Sequence, residues 1–170
     1  MQAGTQPGVF RIAAVQMASG PNVQGNLHEA ARLVAMAAEQ GAKLVALPEH
    51  FAIMGIKDRD KVAVREAEGK GPIQQFLSDT AKKHKIWLVG GSVPLVASVP
   101  GKVRNSCLLY DDKGELIARY DKIHLFGLDL GNEHFHEETT IEPGGEVVVA
   151  NSPFGRLGLS VWYVLRFPAL

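Results

Sequence analysis

The sequence has a single cysteine, Cys107, so no internal disulfide can form and a cysteine-rich metal site is excluded; stability has to come from packing. It has no excess of charge of either sign. Lys plus Arg and Asp plus Glu stand at 18 each, which removes the broad positive field that draws in phosphate backbones or anionic lipid. Nucleic acid and membrane surface are therefore poor expectations as partners. No stretch approaches the roughly 20 apolar residues that span a bilayer, and the opening MQAGTQPGVF lacks a basic segment followed by an apolar run. The expected compartment is the cytoplasm. No repeat and no low-complexity tract divides the chain.

What is present is an apolar fraction of 46% spread over 170 residues, enough to bury the core of one domain. Residues 1–9 are expected to be an extended or disordered N-terminus and residues 10–170 the domain. Phe10 to Met17 reads as a short apolar strand. Asn26 to Gln40 reads as a helix with Leu27, Ala30, Ala31, Val34 and Ala38 on one stripe, ended by Gly41. Lys43 to Leu47 is a buried strand halted by Pro48, and after an irregular stretch from Met54 to Gly71 a second amphipathic helix opens near Pro72 with Ile73, Phe76, Leu77, Thr80 and Ala81 on one face. Ile86 to Val89 follows as a strand. Asn105 to Tyr110 and Glu115 to Tyr120 flank the turn signal Asp112-Lys113-Gly114 and predict a hairpin. Gly158 to Tyr163 is the last strand. Strands alternating with helices and then a hairpin argue for an α/β layer structure with helices on a mixed sheet.

Three polar residues stand out. Glu49 follows a buried strand in Leu47-Pro48-Glu49-His50-Phe51, at the strand end where ligand sites in α/β sheets collect, and partial desolvation there suits a general base. Lys122 ends a hairpin strand in Arg119-Tyr120-Asp121-Lys122-Ile123-His124-Leu125-Phe126, where a fixed ammonium can stabilise an oxyanion; the plainer reading pairs it with Asp121 at the surface. Glu137, in Phe135-His136-Glu137-Glu138, is open to either reading. Cys107 sits in apolar alternation and reads as a small buried hydrophobe. His134 and His136 with Glu133 or Glu137 have the donor types of a zinc site, but in an acidic loop without a third fixed ligand they read as solvated side chains, and no metal is expected.

Taken together, these segments resemble the nitrilase superfamily of carbon-nitrogen hydrolases. The resemblance rests on Glu49 after the second strand, Lys122 within Tyr120 to Phe126, and Glu137 downstream. It is reinforced by Gln16-Met17, Trp87-Leu88-Val89-Gly90-Gly91-Ser92, Arg104-Asn105 and Glu142-Pro143-Gly144, in family order from Phe10 onward. It implies an α-β-β-α sandwich of which this chain supplies the N-terminal part, no cofactor, a small amide as substrate and a homodimer as assembly. It also implies a mechanism in which Glu49 takes a proton from a cysteine thiol, the thiolate attacks an amide carbon, Lys122 stabilises the developing charge and Glu137 supports the site. The Gly55 to Arg65 stretch and the wording of the motifs are most similar to the bacterial branch of deaminated-glutathione amidases.

The chain departs from that pattern where the chemistry is centred. Trp162 holds the position of the family's cysteine, Val164 and Ala169 stand where the family pattern has acids, and family members continue beyond residue 170. Each of the three replacements is one base change from the family codon. The expectations are therefore an amidase inactive as written, a non-catalytic binding or regulatory protein on the same scaffold, or a truncated product without a function of its own.

Overall fold

In the computed structural model, residues 9–131 and 133–168 are described, without the side chain of Glu133. The expected N-terminal segment of residues 1–9 thus lies, apart from Val9, outside the described residues.

The core of the fold is a five-stranded sheet in sequence order: β1 (Arg11–Ala14), β2 (Ala42–Ala46), β3 (Trp87–Val96), β4 (Val103–Tyr110) and β5 (Leu116–Asp121). β1, β2 and β3 run parallel, β4 runs against β3, and β5 runs against β4, so β2, β3 and β5 share one direction. That arrangement brings the end of β2, the start of β4 and the end of β5 to the same end of the sheet. Glu49, Asn105 and Lys122 lie at those three places.

Helices α1 (Val23–Glu39) and α3 (Pro72–His84) cover one face. Leu27, Ala30 and Val34 of α1 and Ile73, Leu77 and Ala81 of α3 pack on Val45, Leu88 and Leu108 of the sheet. Alternation along the strands sends Leu44, Cys107, Leu109 and Tyr120 to the opposite face. There they meet Ala150, Leu159 and Val161, carried by and just after a second hairpin, β8 (Val148–Ser152) and β9 (Gly155–Leu159). Helix layer, sheet and the start of a second strand layer make the α/β sandwich that was expected. A third hairpin, β6 (Gly127–Leu130) with β7 (Glu133–His136), stands on the chain between Lys122 and Glu137.

Several boundaries move, each for a local reason. α1 begins three residues earlier than its apolar stripe because Asn22 caps it, the side chain accepting from the Gly25 N–H at 3.1 Å. Gly41 does end it, with φ of 85°. β3 runs on through Gly90 and Gly91 as far as Val96; the glycines mark a change of register against β4. At Gly91 a Cβ would lie 2.0 Å from the Leu47 carbonyl oxygen and 2.2 Å from that of Pro48, so only glycine lets the chain leading to Glu49 lie on β3. The last strand is β9, ending at Leu159, and Trp162 lies in a turn beyond it instead of in the predicted Gly158 to Tyr163 strand. Within the irregular segment, a short helix, α2 (Asp60–Ala63), precedes Glu66. Glu66 is buried, and its carboxylate accepts from the backbone N–H groups of Ile73 and Gln74 at 2.6 and 3.0 Å, which satisfies the open N-terminus of α3.

Two stability changes follow. Gly91→Ala forces backbone apart in a packed region and is expected to cost about 2 kcal/mol, read as a lowered urea midpoint at unchanged slope. Glu66→Ala strands two buried helix donors and is expected to cost about 3 kcal/mol in the same titration; an unchanged midpoint would remove the capping role.

Candidate active site

The turn after β2 is fixed at several points. Phe51 N–H donates to the Pro48 carbonyl at 3.2 Å, His50 N–H donates to the Ser92 hydroxyl at 2.9 Å, and His50 adopts a left-handed φ of 57°. Phe51, Ala52 and Ile53 are buried behind it. Glu49 is thereby held with its side chain largely covered, facing the end of β5.

Lys122 is held by its backbone from both sides. Its N–H donates to the Asn105 carbonyl at 3.0 Å, and its own carbonyl accepts from Gly144 N–H at 2.9 Å. Gly144 is required there, since a Cβ would lie 2.3 Å from the Asp121 carbonyl oxygen. The Glu142-Pro143-Gly144 segment that carries this contact is tied down through Glu142, which pairs with Arg104 and accepts from the Ser98 hydroxyl at 2.6 Å and Val99 N–H at 2.9 Å. Those hydrogen bonds, Ser98 foremost, hold the Glu142 carboxyl below the usual carboxylate range. Asp121 is not the partner of Lys122: it binds Arg119 at 2.9 Å and the Ser106 hydroxyl at 2.6 Å.

The Lys122 side chain is fully buried and ends between two glutamates, with Nζ 3.0 Å from Glu49 Oε1 and 2.8 Å from Glu137 Oε2. Glu49 Oε1 also accepts from the Asn105 amide at 2.8 Å. Glu137 opens a short 3-10 turn (Glu137–Thr139) and accepts from Phe126 N–H at 2.7 Å, closing the base of the β6–β7 hairpin. The result is one ammonium shared by two carboxylates and braced by a carboxamide and a backbone donor, a set in which the charges are paired in place of bulk water. His50 lies 3.6 Å from Glu49 and is largely buried; burial pushes its pKa below the ordinary histidine value, against the pull of Glu49.

Three of the four site residues singled out in the sequence, Glu49, Lys122 and Glu137, thus meet in one cluster. Trp162 reaches the same neighbourhood through aromatic packing. Its ring centroid is 5.9 Å from that of Phe126, whose N–H holds Glu137, and the Tyr163 and Phe167 rings pack on Phe126 and His124 at 5.3 and 3.7 Å. The segment after β9 is therefore laid along Ile123 to Phe126, directly downstream of Lys122. The indole remains 54% exposed, at the rim of the cluster. Val164 is buried, and Ala169 lies outside the described residues.

Asn105 was legible in the sequence only as part of the Arg104-Asn105 pair; its contact with Glu49 spans 56 residues and has no local signal. Cys107 lies in the core on the far face, and burial pushes its thiol up to about 12, so it is protonated and inert at neutral pH. The histidines of the β6–β7 hairpin do not share Glu137, which is committed to Lys122. Among the described residues, no helix is long and apolar enough to cross a membrane.

Comparison with known proteins agrees with this geometry. The family profile for carbon-nitrogen hydrolases matches residues 11–170. The chain is 36% identical to nitrilase homolog 2 of Dictyostelium discoideum, covering 95% of this chain and 49% of that protein. It is likewise 36% identical to the deaminated glutathione amidase of Yersinia enterocolitica, covering 94% and 56%. The solved structure of a mutant amidase of the nitrilase superfamily from Nesterenkonia superposes with a TM-score of 0.79 at 28% identity, covering 96% of this chain and 60% of that one. The chain spans about half the length of the curated relatives it matches. A sheet that delivers a glutamate and a lysine to one end, and a family profile that runs through both, give one conclusion: the chain belongs to the carbon-nitrogen hydrolase family.

Proposed function

We propose that the chain carries the site of an amidase acting on a small linear amide, in which Glu49, Lys122 and Glu137 are the charged machinery and Trp162 occupies the nucleophile's position, leaving hydrolysis at background in this sequence. The observation that carries the reading is the buried ammonium between two carboxylates. Buried charged clusters are often no more stabilising than packed apolar residues, so the presence of this one points to chemistry.

The atoms suit the reaction. Glu49 commits Oε1 to Lys122 and Asn105, and among the described residues Oε2 has no hydrogen-bond partner, so that oxygen is available to a proton. Lys122 has three N–H donors and meets Glu49 Oε1 and both oxygens of Glu137, so a developing oxyanion would share this fixed ammonium with the two carboxylates. With a cysteine at position 162, Glu49 would take the thiol proton, sulfur would bond to the amide carbon, and the carbon–nitrogen bond would break as the nitrogen accepted that proton. Water, deprotonated by Glu49, would then displace the thiolate from the thioester and release the acid. Relatives named as deaminated glutathione amidase and ω-amidase support a small ω-amide as the substrate class.

Tyr163 adds a second support. Its φ of 73° is left-handed, costly for a bulky side chain by about 1–2 kcal/mol, and it falls beside the position in question. Strain of this kind persists where a neighbouring side chain has to be presented at a fixed angle.

The alternative is a non-catalytic protein that binds an amide or carboxylate on the same scaffold. It is favoured by one fact, that the single thiol, Cys107, is buried and protonated.

Trp162→Cys separates the two. The expected result is ammonia release from ω-amides such as glutamine analogues, rising by orders of magnitude over the parent, toward the ~10⁶-fold that a nucleophile contributes in a well-studied serine protease; Glu49→Gln in that background should abolish it. A folded Trp162→Cys protein that releases no ammonia would leave the binding reading standing. Lys122→Met tests the cluster apart from turnover: two half-buried carboxylates lose their cation, and the expected loss is about 3–4 kcal/mol by urea denaturation.

A further inference from the structure

The β6–β7 hairpin carries a second constellation, outside the Glu49–Lys122–Glu137 cluster. Asp129 on β6 stands directly opposite His134 on β7, and His136 lies two residues further along the same strand. Residues two apart on a strand share a face, so all three side chains project from one side of the ribbon. They converge: His134 Nδ1 is 2.5 Å and His136 Nε2 2.9 Å from the same oxygen, Asp129 Oδ1. The rings are nearly parallel, 19° apart with centroids 6.5 Å from each other. His136 faces Gly127, its register partner, where a Cβ would come within 3.2 Å of the ring Nδ1. A glycine there leaves the imidazole room to lie flat across the strand.

We propose that Asp129, His134 and His136 form a binding site for a divalent transition metal, with zinc as the expected ion, that clips β6 to β7. Two imidazole nitrogens and one carboxylate oxygen, all within 4.8 Å of one another, are the donor types and number that zinc, nickel or cobalt take, and they do not suit magnesium or calcium, which call for all-oxygen shells. A tetrahedral ion with bonds of about 2.0–2.1 Å sets its ligand atoms roughly 3.3 Å apart. The two nitrogen–oxygen spacings, 2.5 and 2.9 Å, would open toward that value on binding an ion. The ion would be bound through His134 Nδ1 and His136 Nε2, leaving the opposite ring nitrogens to carry the protons. Asp129 and His134 are both more than half exposed, so the remaining coordination positions face solvent and would be filled by water.

By sequence alone these histidines fall in an acidic loop with Glu133 or Glu137 as the neighbouring carboxylate. The hairpin supplies the third ligand from the facing strand instead. A second group of donors, Glu49, His50 and Glu137, is less suited to a cation because the Lys122 ammonium already lies between its two carboxylates. The hairpin site is independent of the amidase reading. It has a structural consequence for it nonetheless: Glu137 follows His136 directly, so an ion joining the two strands would stiffen the element on which that glutamate is mounted.

Titration calorimetry of the intact chain with zinc chloride tests this. The expected result is one equivalent bound, with no binding of magnesium chloride, at least tenfold weaker zinc binding in each of Asp129→Asn, His134→Ala and His136→Ala, and unchanged zinc binding in His50→Gln. All four substitutions should leave the circular dichroism spectrum of the parent. Absence of zinc binding, binding indifferent to the three hairpin variants, or binding lost in His50→Gln would each overturn the site.

Discussion

One buried ammonium organises this end of the molecule. Lys122 leaves water completely, a transfer costly enough to be tolerated only when opposite charge and hydrogen bonds are already in place around it. Much of the local structure meets that demand. Gly91 lets the segment before Glu49 rest on β3, Gly144 lets the backbone close over Asp121 and Lys122, Asn105 steers one carboxylate, and the Phe126 amide steers the other. These positions are far apart in the chain and share little beyond the ion they surround. The reversal of β4 between two strands of common direction is what turns sequence distance into contact.

The sequence was informative where physics is local. Apolar stripes located both long helices, Pro72 opened the second at its first position, and the Asp-Lys-Gly turn placed the β4–β5 hairpin. It was less informative where a residue's role depends on a distant partner. The double glycine in β3 looks like an ending from one strand alone and is a register change only in the presence of β4 and the Leu47–Pro48 backbone. Glu66 lies in a stretch without periodicity and becomes a helix cap through donors seven and eight residues away. The β6–β7 hairpin had a usable signal, Gly131-Asn132 between two short runs, but the intervening polar residues masked the alternation.

The candidate site divides along the same line. Glu49 and Lys122 stand out at strand ends and Glu137 only by its place downstream in the family order; in the fold the three converge. For Lys122 the choice between a surface partner and a buried one was settled by Arg119, whose guanidinium takes Asp121 and so frees the lysine to turn inward. Trp162 is placed by a different force. Its segment is fastened by ring packing on Phe126 and His124, to which Tyr163 and Phe167 contribute alongside the indole of Trp162 itself.

The contact between Lys122 and Glu49 closes a loop of 73 residues that contains α3, β3 and the whole β4–β5 hairpin. Closing a loop of that length carries an entropy cost that no single ion pair offsets, so the cluster can gather only after the strands between its members have paired. The charges are in this sense the last pieces set into the sheet. They report its completion, and any partly folded form of the chain would have the three residues without having the site.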